Sequence, residues 1–170
     1  ESRSPAITKS GALYYPLWLI YAALYSSKQG HNVSFLDAPA KQLNEEQSLN
    51  IIRKTDNEHS LFVLDTSTPS IKSDVAFAGK LKALYPHSFV VLVGTHPSAC
   101  AEETLGYSDA VDAVAIGEYD CIMNELSNVL DAGKDLREVR GLCFWDGKEF
   151  VRTAPMPPMK NLDDLPFASQ

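Results

Sequence analysis

The sequence has few cysteines, a minority of positive charges and no long apolar run. Three Cys among 170 residues argue against a complete disulfide framework and favour a reducing, cytoplasmic location. Lys and Arg total 15 against 22 Asp and Glu, so a basic nucleic-acid surface is not expected. The longest apolar run, residues 12–25, counts 14 residues and is too short to span a bilayer. We therefore expect a cytoplasmic globular domain without a membrane span or a nucleic-acid partner.

Several motifs that carry chemistry are also absent. The sequence contains no Gly-x-Gly-x-x-Gly, no P-loop and no Gly-x-Ser-x-Gly nucleophile elbow. Cys100, Cys121 and Cys143 are more than 20 residues apart, which is neither a zinc pattern nor a close iron-sulfur triplet. No catalytic residue and no metal ligand is therefore predicted in this chain.

Short apolar runs alternate with helical patterns along most of the sequence. The apolar runs, interpreted as strands, are residues 33–36, 61–64, 89–93 and 111–116. The predicted helices are residues 16–29, 44–54, 74–85, 101–105 and 121–130. Strands that are apolar throughout and alternate with helices indicate a parallel sheet covered on both faces. The predicted fold is α/β, a doubly wound, mostly parallel, flavodoxin- or Rossmann-like sheet.

The two ends of the chain differ from this pattern. Residues 1–15 contain only a weak strand candidate, Ala6-Ile7-Thr8, so we expect the first strand of the fold to be missing. Near the other end, Asp146-Gly147 predicts a C-terminal β-hairpin, and a Pro-rich segment follows it. The predicted division is an α/β domain over residues 1–140, a hairpin over 141–153 and a linker over 154–170.

Polar and Gly-containing segments follow three of the predicted strands. Ligands of open α/β sheets bind outside the carboxyl ends of the strands, so these segments are the candidate site. The candidate residues are Thr66, Ser67, Thr68, Ser70, Gly94, Thr95, His96, Gly117 and Glu118. Simpler roles stay open for some of them. In these alternatives, Ser70 or Ser73 would cap the next helix, His96 would satisfy backbone groups in its loop, and Gly117 would make a tight turn.

The ordered set of segments resembles a known family. The segments include Tyr14-Tyr15-Pro16-Leu17-Trp18-Leu19, Asp65-Thr66-Ser67-Thr68-Pro69-Ser70, Val93-Gly94-Thr95-His96-Pro97-Ser98 and Gly117-Glu118. Together they resemble the N-terminal cobalamin-binding domain of cobalamin-dependent radical S-adenosylmethionine (SAM) enzymes, the group of the anaerobic magnesium-protoporphyrin monomethyl ester cyclases and many methyltransferases. The resemblance covers nearly the whole chain.

The resemblance implies a cofactor, a partner domain and a separate site for the chemistry. Cobalamin would lie over the strand ends against the candidate residues, and a C-terminal radical SAM barrel of the same parent chain would be the partner. That barrel would hold the [4Fe-4S] cluster and SAM, and it would carry out methyl transfer or radical cyclase chemistry as an oxidoreductase or methyltransferase. The fragment itself would not be catalytic.

One departure keeps other functions open. Corrinoid proteins whose cobalt is ligated from below by a His carry Asp-x-His-x-x-Gly, and this sequence does not. The alternative function is a degenerate docking or interaction domain of the same fold that binds no cofactor. A flavodoxin-like module is a weaker third candidate, because no Gly-rich phosphate loop is present.

Overall fold

A computed structural model describes residues 15–55 and 60–167. Within these ranges the chain forms a five-stranded sheet whose spatial order follows the sequence, β1-β2-β3-β4-β5. The strands are β1 (Leu61–Asp65), β2 (Phe89–Val93), β3 (Ala113–Ala115), β4 (Leu142–Asp146) and β5 (Glu149–Arg152). The α-helices are α1 (Leu17–Lys28), α2 (Glu45–Ile52), α3 (Ile71–Leu84), α4 (Thr95–Ala99), α5 (Ala101–Gly106) and α6 (Asp120–Asp131).

The first three strands pair in parallel, as the alternation of apolar runs and helices predicts. Strand β2 lies between β1 and β3, and its residues from Val90 to Val93 are fully buried. Because side chains alternate along a strand, Val90 and Leu92 pack on one face of the sheet and Val91 and Val93 on the other. A strand that is apolar at every position is therefore explained by burial on both sides.

Helices cover the sheet on both faces. On the face of Val91 and Val93, the core includes residues of α1 and α6, and these two helices also pack against each other. On the face of Val90 and Leu92, it includes residues of α3 and α5. The predicted α/β fold class is confirmed, with its parallel part in β1 to β3.

The predicted C-terminal hairpin is present and extends the same sheet. Strand β4 pairs antiparallel with β3, and β5 pairs antiparallel with β4. Asp146 pairs with Glu149, so the two-residue loop is Gly147 and Lys148, one position later than predicted. Gly147 has φ of 61°, a left-handed conformation that glycine adopts without a Cβ penalty.

The prediction of a strand over residues 33–36 is wrong. The structure gives this segment no regular secondary structure, and Val33 and Phe35 are 37% and 40% exposed. A strand forms only where a neighbour completes its hydrogen bonds, and among the described residues β1 pairs with β2 alone. An apolar run without such a neighbour remains a loop.

Other predictions concern the chain ends. Ala6-Ile7-Thr8 lies outside the described residues, and the division at residues 140 and 153 stays a prediction. In the described part of the chain, no helix combines the length and apolar character needed to cross a membrane.

Candidate functional site

The carboxyl ends of the three parallel strands meet at one edge of the sheet. Asp65, the last residue of β1, pairs with Val93, the last residue of β2, and Leu92 pairs with Val114 of β3. The segments that follow these strands, called here the first, second and third loops, are residues 66–70, residues 94–98, which include most of the short helix α4, and residues 116–119. They lie next to each other because their strands end in register.

The first loop is built by hydroxyl groups that bond to its own backbone. Thr66 is buried, its N–H donates to the carbonyl oxygen of Val93 at 2.8 Å, and its hydroxyl lies 3.3 Å from the Leu64 carbonyl oxygen. The Ser70 hydroxyl accepts a hydrogen bond from the Ser67 N–H at 3.1 Å. These hydroxyls fix the shape of the loop, and Thr68 remains exposed at its tip.

Helix α3 begins immediately after this loop, three residues earlier than predicted. Ser70 occupies the N-cap position, but its side chain makes no capping hydrogen bond to the helix. The Ser73 hydroxyl donates to the Ser70 carbonyl oxygen at 2.8 Å and therefore caps nothing either. The capping role that the sequence left open for both serines is wrong, because Ser70 bonds backward into the loop.

The second loop begins at a glycine that no other residue can replace without movement. Gly94 has φ of 106°, and a Cβ at this position would lie 2.6 Å from both the Asp65 Oδ1 atom and the Thr66 carbonyl oxygen. A side chain here would therefore push the ends of β1 and β2 apart. Gly94 keeps the first two loops in contact.

His96 joins the second loop to the first. It is only 8% exposed, and its Nδ1 atom lies 3.2 Å from the Thr68 hydroxyl. Its Nε2 atom is buried and has no hydrogen-bond partner among the described residues. Burying a polar atom without a hydrogen-bond partner costs free energy. This nitrogen is therefore a candidate to form a hydrogen bond with a ligand or a water molecule.

The third loop is tied to the second by Ser98. The Ser98 hydroxyl donates to the Gly94 carbonyl oxygen at 2.7 Å and accepts from the Gly117 N–H at 3.0 Å. Gly117 is exposed with φ of 86°, and no atom of the described residues lies within 4 Å of the position that a Cβ would take. The backbone at this turn is therefore accessible to a large ligand.

A cleft of about 470 Å³ opens beside the third loop. It is lined by Gly117, Glu118, Asp120 and Cys121 on one side and by the Pro- and Met-rich segment 155–159 on another. Burial raises the pKa of Asp120 to about 6. A hydrogen bond from the backbone of Asp120 to its own carboxylate opposes this effect, and the nearby Glu118 carboxylate adds to it. The volume lies in the range typical of small-molecule sites.

The structure brings the predicted residues to one edge but gives them different surroundings. Those that are exposed there are Thr68, Thr95, Gly117 and Glu118. Thr66 and Ser70 are buried and support the first loop. Contact with a ligand stays a prediction for all of them.

Sequence reasoning missed Ser98 and Asp120. Ser98 ends the segment 93–98 on which the resemblance rests, so its position was visible, but its bond to Gly117 depends on the approach of two loops. No sequence signal marks Asp120 as the acid whose Oδ1 atom is buried without a partner in the described structure.

Comparison with known proteins identifies the family of the chain. The sequence profile of the B12 binding domain family matches residues 3–127. The chain belongs to the B12-binding domain family. The resemblance predicted from the sequence is confirmed, and cobalamin is the cofactor that this family implies.

Longer proteins share the B12-binding domain sequence. An uncharacterized methyltransferase of Pyrococcus horikoshii is 30% identical over 155 residues, which is 91% of this chain and 33% of the relative. The anaerobic magnesium-protoporphyrin IX monomethyl ester cyclase of Rubrivivax gelatinosus is 29% identical over 156 residues, which is 88% of this chain and 28% of the relative. The chain thus spans about a third or less of the curated relatives it matches.

Solved structures share the fold. OxsB, a cobalamin-dependent SAM radical enzyme with aqua-cobalamin and SAM bound, superposes with a TM-score of 0.77 at 13% identity, over 89% of this chain and 21% of that one. The radical SAM methyltransferase TsrM of Kitasatospora setae gives 0.72 at 17% identity, over 85% and 28%. At these identities the likeness shows the fold alone.

The residues at the strand ends fit a cobalamin-type ligand. The corrin ring is broad and carries amide side chains, which both donate and accept hydrogen bonds. The exposed Gly117 turn lets such a ring approach the backbone, and the unpartnered His96 Nε2 atom matches an amide group. The surface at the strand ends therefore combines open space for the ring with polar groups for its amides.

Proposed function

We propose that this B12-binding domain holds cobalamin with the corrin ring over the carboxyl ends of β1, β2 and β3. The observation that carries the proposal is the joining of three strand-end loops into one surface. The pair Thr68 and His96 links the first two loops, and the bond between Ser98 and Gly117 links the last two. A broad ligand needs such a continuous surface, and ligands of open α/β sheets bind at this edge.

The predicted residues would act in two ways. Thr68, Thr95, Gly117 and Glu118 are exposed and would contact the corrinoid or its side chains. The others, Thr66, Ser67, Ser70 and Gly94, would hold the loops in position, and His96 would offer its free Nε2 atom. No residue of the chain needs to act as a catalyst in this role.

The chemistry would take place in a second domain. We propose that residues 1–140 form the cobalamin domain, 141–153 its hairpin and 154–170 a linker to a radical SAM barrel with a [4Fe-4S] cluster and SAM. Cobalamin, when bound, supplies a carrier for methyl groups or electrons. Support comes from relatives named as a methyltransferase and a cyclase, of which this chain covers 33% and 28%. Three free cysteines support a cytoplasmic, reducing location.

Co-elution with hydroxocobalamin tests the proposal. The chain is mixed with hydroxocobalamin and passed over a gel-filtration column, and the visible absorbance of the corrin is followed in the protein peak. Thr95→Trp adds bulk to an exposed residue at the strand ends, and Asp109→Trp adds the same bulk at an exposed residue before β3, at the opposite edge. We expect co-elution with the unmodified chain and Asp109→Trp, and strongly reduced co-elution with Thr95→Trp.

Each other result contradicts a part of the proposal. Absence of corrin from the protein peak of the unmodified chain would overturn cobalamin binding and favour the docking domain. Equal binding by Thr95→Trp would overturn the position over the strand ends. A yellow chromophore that co-purifies with the chain in place of a corrin would favour the flavin-binding alternative.

A further inference from the structure

The cleft beside the third loop has walls of mixed chemistry. Asp120 and Cys121 form its side on α6, and Arg152 and Thr153 contribute from the end of β5. The remaining wall is the segment 155–159, which holds three Pro and two Met. Thioether side chains are flexible and pack against irregular apolar groups, so this wall suits a short aliphatic chain.

Asp120 gives the cleft an unsatisfied hydrogen-bond acceptor. Its Oδ1 atom is buried, and no residue in the described ranges donates a hydrogen bond to it. Native structures rarely leave a buried carboxylate oxygen without a donor, because the loss of water around it is costly. A ligand group that enters this cleft and carries N–H donors would supply the missing bond.

The cleft is continuous with the strand-end surface. Gly117 and Glu118 line it and also belong to the predicted corrinoid site. A corrin ring over the strand ends would therefore have its edge close to the mouth of the cleft. The side chains at that edge would be the groups that enter the cleft.

We propose that the cleft binds one propionamide side chain of the corrin ring, with Asp120 accepting the amide N–H and Met156 and Met159 packing against the methylene groups. The inference rests on the proposed cobalamin function and adds a named acceptor and a named ligand group to it. An ionised carboxylate only accepts hydrogen bonds and an amide nitrogen offers two donors, so the pair is complementary.

Singly hydrolysed cobalamins provide the test. In each of three such derivatives one propionamide is replaced by a carboxylate, which would meet Asp120 as a like charge. Affinities of the 170-residue chain are measured by absorbance titration at pH 8, where Asp120, with a pKa of about 6, is ionised. We expect one derivative to bind about tenfold or more weakly than cobalamin, since a charged hydrogen bond is lost and repulsion is added.

Asp120→Asn is the decisive variant. Its amide can donate to the carboxylate of that one derivative, so we expect its affinity to rise toward that of cobalamin, while the other two derivatives change little. Asp109→Asn removes the same charge at an exposed position before β3 and should leave all four affinities unchanged.

The outcomes separate the two proposals. If the unmodified chain binds no cobalamin, the proposed function fails and the inference fails with it. If the chain binds cobalamin but treats all three derivatives alike, or if Asp120→Asn restores none of them, the function stands and the inference is overturned.

Discussion

The hydroxyl of Ser98 accepts a hydrogen bond of 3.0 Å from the backbone N–H of Gly117 and so joins the loops that follow β2 and β3. The same hydroxyl donates to the Gly94 carbonyl oxygen at 2.7 Å. One small side chain thus fixes two glycine-containing turns relative to each other. In the proposed cobalamin site, Ser98 would therefore act by positioning the backbone of these two turns.

Ser98→Ala removes both bonds and is expected to weaken cobalamin binding about three- to tenfold, because a net hydrogen bond contributes about 1 kcal/mol and the Gly117 turn is no longer held. Absorbance titration with hydroxocobalamin measures the loss. Ser98→Thr retains the hydroxyl and should recover most of the affinity. Unchanged affinity in Ser98→Ala, or equal losses in both variants, would remove the positioning role.

Gly94→Ala is expected to lower the free energy of unfolding by about 2 kcal/mol or more, because φ of 106° is strained for alanine and its Cβ would meet the Asp65 Oδ1 atom and the Thr66 carbonyl oxygen at 2.6 Å. Urea denaturation measures the change. Gly79→Ala is the matched control. Gly79 lies inside α3, and no neighbouring side chain of the described residues comes within 4 Å of its Cβ position, so alanine should stabilise the chain by about 0.5–1 kcal/mol. A Gly94→Ala chain as stable as the original would contradict the close packing.

Asp112 holds the start of β3 to β2 and α3. Its Oδ2 atom accepts from the Val90 N–H at 2.6 Å, and its carboxylate pairs with Lys82, whose side chain is 22% exposed. Asp112→Ala leaves the Val90 N–H and the Lys82 ammonium without this partner. We expect a loss of about 1–3 kcal/mol in urea unfolding, and a smaller one for Asp112→Asn, which can still accept one bond. Unchanged stability in Asp112→Ala would contradict this role of the carboxylate.

The parts of the fold that could be predicted are those where one local signal suffices. Strand β2 is apolar at five consecutive positions, and Gly147 marks the hairpin turn, so both follow from short stretches of sequence. Residues 33–36 have the same apolar character but no neighbouring strand among the described residues, and a local pattern cannot report that lack. Pairing is a property of two segments.

The same distinction applies to the candidate site, where some features follow from local sequence and others depend on contacts made by the fold. The position of Gly94, Thr95 and His96 at the carboxyl edge of the sheet could be predicted, because the three residues directly follow the apolar run of β2. Their contact with a ligand stays a prediction. Ser98 and Asp120 could not be predicted, since the role of each depends on what the fold brings near it. For Ser98 this is the Gly117 N–H, and for Asp120 it is the absence of a donor in the described part of the chain.

Asp120 should make stability fall as the pH rises. Its pKa is about 6 in the folded chain, above the ordinary value of 3.8, mainly because burial disfavours the charged form. Between pH 3.8 and 6 the folded chain therefore retains a proton on Asp120 that the unfolded chain has lost. The stabilisation that Asp120 contributes is therefore complete below pH 3.8 and is lost as the pH rises through about 6.

Urea unfolding of the chain and of Asp120→Asn, measured in steps from pH 4 to pH 7, isolates this effect, because the other carboxyl groups titrate in both proteins. We expect the original chain to lose about 1 kcal/mol relative to the variant across this range, a value reduced from the full shift because Asp120 is partly exposed and screened by solvent. Parallel pH profiles would mean that the carboxyl group titrates normally. If bound cobalamin donates a hydrogen bond to the ionised carboxylate, saturating cofactor should lower the pKa of Asp120 and shift the fall in stability toward lower pH.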